Sequence, residues 1–146
     1  CDLVYYDYSA LGVMSRVLIT NRKGGKQLEF KANVPIYLQV IDDIKKKIVC
    51  GKIQLGDKLP STRELAVAYR INPNTAVRIY NEMELLGICY TKRGLGTFVT
   101  EEIELYESMK KEMARFRIEE YVSEMKELGY DGSEMIIAVK EYLERG

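Results

Sequence analysis

The sequence predicts a mainly α fold that carries one small β-hairpin. Three observations predict it. Two short apolar-periodic segments meet at Asn72-Pro73, each with its own helix-start signal. Two strand-like runs flank a glycine-bearing loop, Lys92-Arg93-Gly94-Leu95-Gly96. Residues 101–146 are rich in charge and carry apolar side chains at helical spacing.

Residues 1–32 form an N-terminal extension without a clear period, and Asn21-Arg22-Lys23-Gly24-Gly25-Lys26 is a polar breaker within it. Two readings stay open. It is an ordinary extension, ordered or disordered, or it is upstream DNA read through in frame. On the second reading Lys23 to Lys26 spans a ribosome-binding sequence, and the native chain begins at Leu28 from a leucine start codon. Gly24-Gly25-Lys26 lacks the spacing of a phosphate-binding loop, and no Ser or Thr follows the Lys.

From Pro35, which suits a first helical turn, the pattern becomes regular. Ile36, Leu38, Val40, Ile41, Ile44, Ile48 and Val49 give a helical stripe. Asp42, Asp43, Lys45, Lys46 and Lys47 are expected on the outer side, and Gly51 ends the helix. Lys52 to Pro60 reads as a connector with turn chemistry at Gly56-Asp57. Ser61-Thr62-Arg63-Glu64 is a capping box, in which the Ser hydroxyl and the Glu carboxylate each take a backbone amide. It starts a short helix through Leu65, Ala66 and Ala68 that ends near Arg70. Asn72 then caps a second helix, with Pro73 in its first turn, running to Leu86 and stopping at Gly87.

Strands at Ile88 to Thr91 and Thr97 to Thr100 follow, so three helices and a hairpin make a winged helix-turn-helix over residues 33–100. Residues 101–146 are expected to form two more helices. The first is long and amphipathic and closes at Gly129. The second begins at Ser133.

Composition bounds the function. There are 22 basic and 22 acidic side chains, unevenly placed. Residues 33–100 hold ten Lys/Arg against six Asp/Glu, while residues 101–146 hold seven against thirteen. A basic module followed by an acidic one suggests an anion-binding front and a tail with another task. Histidine is absent, which removes the commonest general base and metal ligand, and no Ser/His or Cys/His pair can exist. No enzyme, metal or cofactor is therefore expected. The three cysteines are far apart, and Cys50 and Cys89 read as small buried apolar residues. That usage, with no membrane-length apolar run, fits a cytoplasmic protein with no membrane partner.

On a helical wheel Ala76, Ile79, Tyr80, Met83 and Leu86 fall within about 120°. Asn74, Arg78 and Asn81 point the opposite way, with Thr75 on the flank. Arg can pair with guanine, Asn with adenine, and Thr can meet a thymine methyl or a phosphate. These residues sit at the start of the helix, where recognition helices meet bases and where free amides favour phosphate. Arg63 lies in the first turn of the preceding helix, and Lys92 and Arg93 flank Gly94 at the hairpin tip. Ser61, Thr62, Arg63, Asn72, Asn74, Thr75, Arg78, Lys92, Arg93 and Gly94 are the candidate DNA-binding residues. Their cations weigh against the alternative, a winged helix used as a protein-interaction module without specific DNA binding.

The segments Pro35-Ile36-Tyr37-Leu38-Gln39, Gly56 to Ala66, Asn72 to Arg78 and Gly94 to Val99 resemble the GntR family of bacterial transcription regulators. The resemblance implies a winged helix that binds an inverted-repeat operator in double-stranded DNA as a homodimer. Arg63, Asn74, Thr75 and Arg78 would meet the major groove, and Arg93 and Gly94 the minor groove. Family members often carry Arg or Lys where this chain has Asn74. The two short C-terminal helices resemble the YtrA-like subfamily, in which this part serves dimerisation. An isolated helix with an apolar stripe must bury it against something. Tyr106, Met109, Met113, Phe116, Tyr121 and Met125 are the expected dimer-interface residues, and such a Met-rich face can also take a small-molecule effector. The resemblance further suggests a repressor of a transporter operon.

Overall fold

The computed structural model describes residues 30–146, so the start expected at Leu28 lies outside the described residues. The element order is α1 (Ile36–Val49), α2 (Thr62–Tyr69), α3 (Pro73–Leu85), β1 (Cys89–Lys92), β2 (Gly96–Val99), α4 (Ile103–Glu127) and α5 (Gly132–Arg145). The chain divides into two compact units between Glu102 and Ile103.

In the first unit α1 begins directly after Pro35. Its buried Gln39 fastens the preceding segment: Gln39 Oε1 accepts from Lys31 N at 2.9 Å, and Nε2 donates to Lys31 O at 3.0 Å and Val34 O at 2.8 Å. A buried amide with both ends bonded is affordable inside a fold.

Asp43 departs from the expected pattern. It is buried, not on the outer side. Its place flanks the apolar stripe of α1, and α2 covers that flank with Tyr69. The Tyr69 hydroxyl donates to Asp43 Oδ2 at 2.6 Å, while Lys47 Nζ donates to the same hydroxyl at 3.0 Å and ion-pairs with Asp43 at 2.8 Å. Burial, and then the Asp43 carboxylate, push the Tyr69 phenol well above the usual tyrosine range. Cys50 is a second departure. It sits just past the last turn of α1 and is exposed, whereas Cys89 is buried and its thiol is pushed up to about 12 by burial.

The capping box at Ser61 and the Asn72 cap with Pro73 form as the residues dictate. Between them Arg70 takes a left-handed φ of 52°, which lets Ile71 N reach back to Ala66 O at 3.0 Å and turns the chain into α3. On the core face of α3 Ala76, Ile79 and Met83 are at 0% exposure, but Leu86, expected on that face, is 52% exposed, because the helix ends at Leu85 and Leu86 is its C-cap. Of these, Ile79 and Met83 each contribute roughly 1.5–3 kcal/mol by leaving water. Tyr80, also on that face, donates its hydroxyl to Pro60 O.

The hairpin pairs Cys89 with Val99, Tyr90 with Phe98, Thr91 with Thr97 and Lys92 with Gly96. The connector before α2 is more than a turn, because it lies along β2 as a short third edge. Leu59 N donates to Thr97 O at 2.8 Å, Val99 N to Asp57 O at 2.9 Å and Gly56 N to Val99 O at 3.1 Å.

The second unit contains α4 and α5. The apolar positions of α4 do not form the single stripe expected. At 100° per residue Tyr106, Met109, Met113 and Phe116 share one side, and Ile118, Tyr121, Val122 and Met125 another, roughly 150° away. The second side is tied to α5 by the Tyr121 hydroxyl, which donates to Met135 O at 3.1 Å. Helix α5 starts one residue before the expected Ser133. Its N-cap is Asp131, in a capping box with Glu134.

Candidate nucleic-acid interface

Three pieces of the first unit carry the candidate residues. Ser61, Thr62 and Arg63 occupy the cap and first turn of α2. Asn72, Asn74, Thr75 and Arg78 occupy the cap and first turns of α3, and Lys92, Arg93 and Gly94 the end of β1 and the tip that follows it. Helices α2 and α3 pack together, so the first two groups belong to one structural piece.

Two of these residues already work as caps. Ser61 Oγ accepts from Glu64 N at 3.2 Å and keeps its hydroxyl proton to donate outward. Asn72 Oδ1 accepts from Asn74 N at 2.8 Å, which leaves its Nδ2 amide. Glu64 returns the bond, accepting from Ser61 N at 2.7 Å, and this backbone donor is the main reason its carboxyl lies below the usual range. Arg63, Asn74 and Arg78 are exposed, while Thr75 is half-buried. Arg78 is not a loose side chain. Its Cζ lies 3.7 Å from the centre of the Tyr37 ring, and its Nε is 3.9 Å from Glu82 Oε1.

The wing is braced from both sides. On one side Ile88 N donates to Met83 O at 2.9 Å, and Thr91 bonds Glu84 of α3. On the other lies the Asp57 to Leu59 edge. Tyr90 and Phe98 stack across the strands at 6.0 Å, and Lys92 Nζ stands 5.4 Å from each ring. Its position is therefore restrained by two aromatic faces. Gly94 has a φ of +77° with open space where a Cβ would stand, so the tip can come close to a groove. Gly96 has a φ of +122°, a backbone conformation that L side chains rarely adopt, which is what restricts the position; the Lys58 Cε 2.7 Å from where a Cβ would stand is the end of a flexible side chain and can move aside.

Lys58 and Tyr37 are the residues that sequence reasoning passed over. Lys58 sits in a segment read as a connector, yet its bridge to Phe98 puts an added cation beside the wing. The sign lay in the segment itself, which ends in a buried Leu59 and a Pro. Leu95, 63% exposed between two glycines, gives the tip an apolar side chain as well. Among the described residues no cluster of three or more His, Cys, Asp or Glu could hold a metal ion. No helix among them is long and apolar enough to cross a membrane.

The geometry so far is a capped helix with a buried back and a polar front, followed by a braced cationic hairpin. Comparison with known proteins agrees with it. Residues 36–99 match the family described as bacterial regulatory proteins, gntR family. The chain is 44% identical over 118 residues to the HTH-type transcriptional regulator YhcF of Bacillus subtilis, covering 81% of this chain and 98% of that protein. It is 44% identical over 75 residues to the HTH-type transcriptional repressor YtrA of the same organism, covering 51% of this chain and 58% of YtrA. Among solved structures, a GntR family transcriptional regulator from Listeria monocytogenes superposes with a TM-score of 0.70 at 39% identity, covering 77% of this chain and 98% of that one.

Proposed function

Because the chain belongs to the gntR family of bacterial regulatory proteins, and is thus a DNA-binding transcription regulator, we propose that it acts as a repressor binding an inverted-repeat operator as a homodimer. One observation carries the reading: α3 buries Ala76, Ile79 and Met83 completely while it holds Asn74 and Arg78 exposed on the opposite face. An Asn and an Arg at the start of a supported helix are suited to adenine and guanine edges in a major groove. Arg63 from α2 joins them at the major groove, Arg93 and Gly94 at the wing tip reach the minor groove, and Lys92 and Lys58 supply cations for phosphate. Regulation of a transporter operon is the target the family resemblance suggests.

The second unit supports the dimer. Its α5 leaves Ile136 at 71%, Tyr142 at 78% and Leu143 at 71% exposure. Of the interface residues read from α4, Met109 is buried within the single chain and Tyr121 is bonded to Met135 O. Tyr106, Met113 and Phe116 share one side of α4 and are one candidate surface, Met125 lies on the side of α4 tied to α5, and the exposed side chains of α5 are a separate candidate surface.

Fluorescence anisotropy on the DNA upstream of the chain's own gene, at two salt concentrations and beside a scrambled duplex, tests the reading. Selective binding that weakens steeply with salt is expected, since Lys and Arg displace counterions from phosphates. Equal, weak binding to both duplexes would move the protein-interaction reading ahead.

A further inference from the structure

We propose that Tyr37 is a positioning residue for base reading: its ring holds the Arg78 guanidinium flat and sets the direction in which Arg78 addresses a base. The inference rests on the reading of Arg78 as a base-contacting residue. The carrying observation is the 3.7 Å separation between Arg78 Cζ and the Tyr37 ring centre. That is stacking distance, well inside the range at which a cation is held by a ring face. Glu82, one turn further along α3, holds the Nε edge at 3.9 Å.

The two restraints leave the right part of the group available. A guanidinium stacked on a ring keeps its N–H donors at its rim, in its own plane, and those donors make the two-point contact with guanine O6 and N7. The Arg78 side chain remains 57% exposed. An arginine already confined in this way has less side-chain freedom left to lose when DNA arrives, and this is the general benefit of preorganisation.

The stack joins two helices. Tyr37 lies in the first turn of α1, and Arg78 lies on α3, which packs against it. The first turn of α1 is itself held by Gln39, whose amide grips Lys31 and Val34. The Tyr37 hydroxyl makes no hydrogen bond among the described residues, in contrast to Tyr69, whose hydroxyl joins Asp43 and Lys47. The ring, rather than the hydroxyl, is the working part of Tyr37.

The test uses the full chain and a duplex selected by it from a randomised pool, beside a scrambled duplex, with binding read by anisotropy. The quantity of interest is the ratio of the two dissociation constants. Arg78→Ala should lower that ratio about tenfold or more. Tyr37→Leu should lower it about two- to fivefold and leave the scrambled duplex and the salt slope unchanged. Tyr37→Phe, which keeps the ring, should match the parent chain. In the Arg78→Ala background Tyr37→Leu should have no further effect on the ratio. Equal weakening on both duplexes, or a full additional loss in the double variant, would overturn the positioning role. If Arg78→Ala alone left the ratio unchanged, base reading by Arg78 would fall, and the role of Tyr37 with it.

Discussion

The two units differ in where they put their apolar side chains. The first completes a core inside one chain. Val40, Ile79, Met83 and Val99 reach 0% exposure, and of the polar groups drawn in with them Gln39 is bonded at both ends of its amide and Asp43 is bonded through Oδ2. Val67, Leu85, Leu86 and Leu95 of that unit stay more than half exposed, but the second unit exposes far more of its apolar side chains than it buries. Met109 and Met135 are buried, yet Ile103, Ile118, Leu128, Ile136, Tyr142 and Leu143 stand more than half exposed. Exposed apolar side chains mark a candidate interaction site where they share a face, as Ile136 and Leu143 do two turns apart on α5. The first unit therefore holds most of the buried apolar side chains, and the second unit is where the proposed dimer contact is to be tested.

The strongest way to break this contrast is to cut equal holes on each side. Met83→Ala removes a fully buried side chain from α3 and should lower the unfolding free energy by about 2–5 kcal/mol, measured by urea denaturation. A loss well under that would mean the first core is loosely packed and the contrast is false. On the other side, Ile136→Glu combined with Leu143→Glu changes only exposed residues of α5. Sedimentation should then show one-chain mass where the parent chain shows two, with the urea midpoint of the winged unit unchanged. Binding to a two-half-site duplex should fall about a hundredfold, because the second half-site contact is no longer intramolecular. A monomeric parent chain at micromolar concentration would remove the dimer reading directly.

Much of the winged unit was legible because its signals are local. A Ser three residues before a Glu, an Asn before a Pro, and a glycine-flanked tip each act through bonds within a few residues, so the helix starts and the wing followed from the chain alone. The Asp131 and Glu134 pair is the same capping signal, and reading it would have placed the start of α5 correctly. What was not legible is tertiary. The burial of Asp43 depends on Tyr69 arriving from α2, and periodicity within α1 says nothing of it. The stack of Tyr37 on Arg78 joins residues 41 positions apart in sequence. The connector at Asp57 to Leu59 becomes a sheet edge only because β2 lies beside it. The apolar positions of α4 look like one stripe when written out in order, and separate into two only when their angles are followed over the length of the helix.

The smallest expected effect gives the finest test of the contrast, because each unit contains one capping box. Ser61→Ala and Asp131→Ala both remove a side-chain acceptor from a helix start, and each should cost about 1 kcal/mol locally. The consequences should diverge. In the first unit the loss should appear as a lower midpoint for cooperative unfolding, since α2 is packed into a shared core. In the second it should appear as faster amide exchange in the first turn of α5 and a weaker dimer, with the winged unit's midpoint unmoved. The first box also has an acid limb. The Glu64 carboxyl lies below its ordinary value in the folded chain, mainly through the Ser61 amide, so its contribution is present above about pH 4.5 and lost as pH falls through the lower folded value. Glu64→Gln should flatten that limb in urea titrations run across the carboxylate range. If Asp131→Ala lowered the midpoint of the winged unit as much as Ser61→Ala does, the two units would be folding as one, and the exposed face of α5 would have to be explained without a partner.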